Sequence, residues 1–141
     1  MAGSSRDAAP VDFDVLNDMR KYLARSDRFE DVEWRPDYAP DSLVCLYDSG
    51  LYPVSIDEAF LEITWFTNDD FNVHYQENWA GTDKRKCRWD RHPNSHNTRD
   101  HFHPLPNAET PGDDESFSPN WKDVISRVLR EVDGRIEAFW E

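Results

Sequence analysis

Three consecutive segments alternate apolar and polar residues with a period of two, and this alternation constrains the fold more than any other feature of the chain. Residues 59–66 place Leu61, Ile63 and Trp65 on one side, residues 71–78 place Phe71, Val73 and Tyr75 together, and residues 84–91 align Arg85, Cys87, Trp89 and Arg91. The joints FTNDD and WAGTD are short and rich in turn formers, so the segments are expected to form a three-stranded antiparallel meander. Matching the apolar faces puts Trp65 opposite Phe71 and Tyr75 opposite Cys87, because a slip of one residue would turn every apolar side chain to water. Both joints must then be odd in length. The same register sends Glu62, Thr64, His74, Gln76, Lys86, Arg88 and Asp90 to the other face. A polar outer face is ordinary for a half-exposed sheet. What sets this one apart is its mixture of His, Arg, Gln and carboxylates.

The flanks add helices and further strands. Asp12 stands as an N-cap, Val11 and Leu16 are placed for a hydrophobic staple, and Val15, Leu16, Met19, Tyr22 and Leu23 recur at helical spacing up to Arg25 or Ser26. Residues 29–34 and 43–47 read as strands, and residues 51–54 as an edge segment, since Pro53 cannot donate to a central ladder. Between His92 and Ser116 the prolines and Gly112 exclude long regular elements, although His101-Phe102-His103 suits a brief strand with both imidazoles on one side and Phe102 on the other. Ser118 as N-cap and Pro119 at the first helical position open an amphipathic helix through Trp121, Val124, Ile125, Val128, Leu129, Val132, Ile136 and Phe139. The expected fold class is α+β: an antiparallel meander of four to six strands with an N-terminal and a C-terminal helix on its apolar face.

At 141 residues the chain fits one domain, with residues 1–10 expected to fray and residues 105–116 expected to be a mobile acidic loop. Lys and Arg number 16 against 29 Asp and Glu, a formal net charge of -13; Asp supplies 19 of the acids and Lys occurs only four times. An acidic, Lys-poor surface keeps a protein soluble in a salt-loaded cytoplasm, so the charge speaks of a halophilic habitat rather than of a basic partner. Near molar salt the Debye length is about 3 Å, and binding to RNA must rest on direct contacts. No apolar run approaches the ~20 residues of a membrane span and the first residues lack a signal-peptide core, which makes the cytoplasm the expected location. Cys45 and Cys87 lack metal-ligand spacing and are expected as buried thiols, with a disulfide open to them only if their strands are neighbours.

Against the acidic background, Lys84, Arg85, Lys86, Arg88 and Arg91 fall within eight positions, and four of the five histidines follow between His92 and His103. Arginine forks bind phosphodiesters, and imidazoles exchange protons near neutral pH. Arg88, Arg91 and Lys86 therefore stand as phosphate ligands together with His92. His101, His103 and His74 stand as acid and base, and Asp90 as the group that orients them. The 2′-hydroxyl of RNA supplies an internal nucleophile, so no cofactor is required. The competing use is a zinc site in which His101 and His103 share one ion with His92 or His74 and Asp90. His92 and His96 stand four apart, but Pro93 and Asn94 oppose the helix that would align them.

Arg88-Trp89-Asp90, followed after a Pro- and His-containing segment by His101-Phe102-His103-Pro104, resembles the TumE family, small proteins regarded as toxins of a toxin–antitoxin pair. The likeness extends to Tyr75 and to the meander followed by a helix, over roughly the second half of the chain. Arg91 stands where the family has Asn, and His92-Pro93-Asn94-Ser95-His96 replaces its Pro-His-His run; these departures bear on His92 and His96 more than on Arg88, Asp90, His101 and His103. The resemblance implies a growth-inhibiting activity and a partner antitoxin, a helix-turn-helix protein encoded next to the toxin. RNA cleavage without a metal is the expectation drawn from the residue types and from other small toxins that set a sheet face against RNA. The alternatives are a metal-dependent hydrolase built on the histidines and a non-catalytic interaction protein.

Overall fold

The computed structural model describes residues 9–92 and 99–141; the fraying expected of the first residues falls mostly outside them, and His96 wholly so. Seven antiparallel strands form one sheet in sequence order: β1 (Phe29–Arg35), β2 (Ser42–Tyr47), β3 (Ile56–Trp65), β4 (Phe71–Trp79), β5 (Lys84–Arg91), β6 (Asp100–His103) and β7 (Asp113–Asp114). The registers are the anticipated ones, with Trp65 opposite Phe71 and Tyr75 opposite Cys87. β7 takes the sheet one strand beyond the expected range. At two residues inside a Pro- and Gly-rich segment it carries no alternation by which a sequence could announce it.

Two α-helices among the described residues lie on the apolar face. The N-terminal helix (Phe13–Ala24) begins where Asp12 Oδ1 accepts from the Val15 amide at 3.1 Å, and it buries Leu16, Met19 and Leu23. The C-terminal helix (Trp121–Phe139) buries Val124, Ile125, Val128, Leu129, Val132 and Ile136 in the same core as Leu61, Ile63, Trp65, Phe71, Val73 and Trp89. Each such side chain contributes about 1.5–3 kcal/mol, so the stripe stabilises the helix far more than its propensity does. Its N-cap is Asn120 rather than Ser118, because the Asn120 carboxamide accepts from the Lys122 amide at 2.9 Å while Ser118 Oγ accepts from Asn120 and donates to Asp123. The edge segment expected near Pro53 is also replaced: Ser49–Leu51 is a 3-10 turn, with Asp48 Oδ1 accepting from the Gly50 amide, and Val54 is exposed. Cys45 and Cys87 stand on β2 and β5, with β3 and β4 between them, as buried free thiols whose pKa burial pushes up to about 12.

One end of the core is polar. Glu77 continues the inward parity of Val73 and Tyr75, and its carboxylate accepts from Tyr75 Oη (2.7 Å), Trp79 Nε1 (3.0 Å) and both Nε and Nη2 of Arg135 on the C-terminal helix (2.9 and 2.8 Å). Burial acts to raise the Glu77 carboxyl, but these donors outweigh it and hold the group below the usual range. Tyr52 meets Tyr75 hydroxyl to hydroxyl at 2.8 Å, and burial lifts both phenols.

Candidate functional site

The outer face of the sheet arranges its polar residues in transverse rows, because residues opposite one another in an antiparallel ladder share a face. One row runs Glu62, His74, Arg88, His103 across β3 to β6. The next runs Thr64, Asn72, Asp90, His101 and ends at Asp114 on β7. Glu62, Thr64, Asn72, His74 and Arg88 line a concavity of about 270 Å³. Lys86 stands in the adjoining row opposite Gln76, bridged to Asn107.

At the β5–β6 side the rows sink below the surface. Asp90, His101 and His103 are 0–2% exposed. Arg88 Nε donates to Asp90 Oδ2 at 2.9 Å, His101 Nδ1 lies 3.3 Å from Oδ1, and His103 Nε2 lies 3.1 Å from Oδ2. His92, half exposed just past β5, brings Nε2 to 3.6 Å from Oδ1. One ligand atom from each of Asp90, His101 and His103 falls within 4.8 Å of the others, so this trio is the group among the described residues able to share a metal ion.

The segment after β6 fixes the orientation of His103. Its Nδ1 is 3.0 Å from the Glu109 carbonyl, which only accepts, so Nδ1 carries a proton. Gly112 passes directly over the ring at φ +80°; a Cβ there would stand 2.6 Å from Nδ1. This close approach is what glycine supplies. The start of residues 105–116, the segment expected as a mobile acidic loop, carries two backbone hydrogen bonds, from Lys86 N to the Pro106 carbonyl (2.7 Å) and from Ala108 N to the Pro104 carbonyl (3.0 Å).

His74 is held differently. Its Nε2 meets Gln76 Oε1 at 2.9 Å, and Gln76 in turn donates to Asn78 at 2.8 Å. The carboxamide oxygen accepts, so Nε2 bears a proton and Nδ1 is the nitrogen left for proton exchange. Nδ1 of His74 and the terminal nitrogens of Arg88 make no hydrogen bond among the described residues.

Arg91 is not brought to this face. It shares the inward parity of Cys87 and Trp89, and its fork clasps Asp100 (Nε to Oδ1, 2.9 Å) and the carbonyls of Asp69 (3.1 Å), Phe117 (2.6 Å) and Ser118 (3.0 Å) while stacking on Phe71. This one planar group ties three segments together. Asn72, which lines the concavity, and Glu77 stand outside the residues expected from the sequence; the inward parity of Glu77 with Tyr75 is the signal that could have found it.

Fold and site together define a small α+β protein with a patch of imidazole, guanidinium and carboxylate groups on the open side of its sheet. A family model described as Toxin TumE matches residues 19–136, so the chain belongs to the TumE toxin family over far more than the half that carried the likeness in the sequence. Membership gives it a toxin's role and implies an antitoxin as partner. Comparison with curated proteins and with solved structures gives no match. No helix among the described residues is long and apolar enough to cross a membrane.

Proposed function

We propose that this toxin cleaves RNA laid across rows His74–Arg88–His103 and Asn72–Asp90–His101, without a metal taking part in the chemical step. The observation that carries the reading is the pairing of His74 and Arg88 as cross-strand neighbours lining one concavity, one with its Nδ1 and the other with its terminal guanidinium nitrogens unbonded among the described residues. Arg88 receives the phosphodiester with its terminal nitrogens, since its Nε is fixed by a buried carboxylate. His74 Nδ1 removes the 2′-hydroxyl proton, the 2′-oxygen attacks phosphorus, and the 5′-oxygen leaves with a proton from solvent, giving a 2′,3′-cyclic phosphate. Asp90, His101 and His103 act from beneath as positioning residues. Lys86, two residues from Arg88 on the same face, and His92 at the rim hold neighbouring phosphates.

The proposed partner is a helix-turn-helix antitoxin that covers this face, and the proposed setting is a salt-adapted cytoplasm. The test is induction of the wild-type chain and of His74→Ala and Arg88→Ala in a salt-adapted host at matched protein levels, with total RNA profiled. Arrest with RNA fragmentation in the wild type, lost in both variants, is the expected result. Arrest with intact RNA would overturn the cleavage reading and leave a toxin that acts by binding.

A further inference from the structure

We infer that Asp90, His101 and His103 form a buried binding site for one divalent transition metal ion of zinc type, with His92 as the fourth donor on the solvent side. The inference stands on its own geometry and does not rest on RNA cleavage. It begins from an unsatisfied atom. His103 Nε2 is buried and makes no hydrogen bond, although Asp90 Oδ2 is 3.1 Å away. With an Nδ1 proton committed to the Glu109 carbonyl, Nε2 is the ring nitrogen left to act as a ligand, and it stands 3.1 Å from a buried carboxylate oxygen. A proton on Nε2 does not resolve this, because the N–H direction misses the oxygen. A cation lying off the N···O line attracts both lone pairs at once.

The donor set and its surroundings fit such an ion. Two imidazoles and a carboxylate are the ligands of catalytic and mixed zinc sites, and tetrahedral bonds of about 2.0–2.1 Å set donor atoms roughly 3.3–3.4 Å apart. His101 Nδ1 lies 3.3 Å from Asp90 Oδ1 and His103 Nε2 lies 3.1 Å from Asp90 Oδ2, so each imidazole stands near that spacing from one carboxylate oxygen, and one ligand atom from each of the three residues falls within 4.8 Å of the others. Metal-binding histidines characteristically donate their second ring N–H to a carbonyl or carboxylate, as His103 does to Glu109. Gly112 locks that ring from above, and Arg88 occupies one lone pair of Asp90 while leaving others for the ion. Burial of the three residues suits a structural ion: it would join β5 to β6 and hold the carboxylate on which Arg88 leans.

The experiment uses the full-length protein, stripped with chelator and dialysed, then titrated with Zn²⁺ or Co²⁺ alone in high salt. The expected result is one equivalent bound, a rise in Tm, ¹⁵N shifts of metal-bound nitrogen at His101 and His103, and a Co²⁺ spectrum lacking thiolate bands. His103→Gln is expected to weaken binding by at least about 100-fold and His92→Ala by less. If chelation unfolds the protein and zinc restores it, the site is equally supported. No binding and no Tm change in the folded wild type would overturn the inference, as would thiolate bands, unchanged histidine ¹⁵N signals, or equal binding by folded His103→Gln. Since none of these readouts involves RNA, failure here leaves the cleavage reading standing and failure of cleavage leaves the metal site standing.

Discussion

Replacing Arg135 by Met leaves a carboxylate stranded at the end of the core. Glu77 is 0% exposed and loses two of the four hydrogen bonds it accepts, both of them charge-assisted. Removing one partner of a buried ion pair costs about 3–5 kcal/mol. Tyr75 and Trp79 still donate and Arg135 is 29% exposed, so the lower end, about 3 kcal/mol, is expected, a fall in Tm on the order of 10 °C. The double variant Glu77→Gln/Arg135→Met removes the stranded charge and should recover about 2 kcal/mol of that loss. The sign of the pH dependence follows from the lowered Glu77 carboxyl. The unfolded chain binds its proton first, so this contribution is complete above about pH 4.3 and is lost as pH falls through the lower folded value. The gap between wild type and Glu77→Gln should therefore close in acid, whereas in Arg135→Met burial prevails and acid narrows its deficit against wild type. Urea unfolding from pH 3 to 7 reads all of this. A cost below about 1 kcal/mol for Arg135→Met, with no recovery in the double variant, would refute the reasoning.

Further outcomes follow from other contacts. Arg91→Lys cannot reproduce the fork that holds Asp100 and three carbonyls, and should lose about 2–3 kcal/mol by urea denaturation; RNA binding per folded molecule stays at the wild-type level. Gly112→Ala combines a left-handed backbone with a collision against a buried imidazole and should cost about 2–3 kcal/mol, read as a lowered urea midpoint at unchanged slope. Burial pushes the Cys45 and Cys87 thiols up to about 12, so the folded chain keeps protons that the unfolded chain sheds above about pH 8.5. Stability is then complete below that pH and declines above it by roughly 1.4 kcal/mol per unit for each thiol, a slope that Cys45→Ala should reduce.

Parity explains how much of this was legible in the sequence. Period-two alternation in the central segments determined both registers, and hence which residues face outward together: Glu62 with His74, His74 with Arg88. The brief strand at His101 could be placed because Phe102, alternating with two imidazoles, needed an apolar partner, which proved to be Trp89. Depth was not legible. Nothing local to His103 foretells that Glu109 and Gly112 fold over it, because that contact depends on the path of a Pro-rich segment without periodicity. Arg91 shows the reverse: its inward parity was visible, but charge alone suggested phosphate, and the carbonyls that satisfy it come from turns remote in sequence.

The central claim is that His74 and Arg88 work on a 2′-hydroxyl and its phosphate. It is tested most directly by incubating the purified chain with a defined RNA oligonucleotide and with its all-2′-deoxy counterpart, free of its antitoxin and in high salt. The account predicts cleavage of the RNA alone, with 2′,3′-cyclic phosphate ends, slowed at least about 100-fold in His74→Ala. Equal cleavage of both strands, cleavage unchanged in His74→Ala, or intact RNA from a preparation that arrests growth in cells would contradict it.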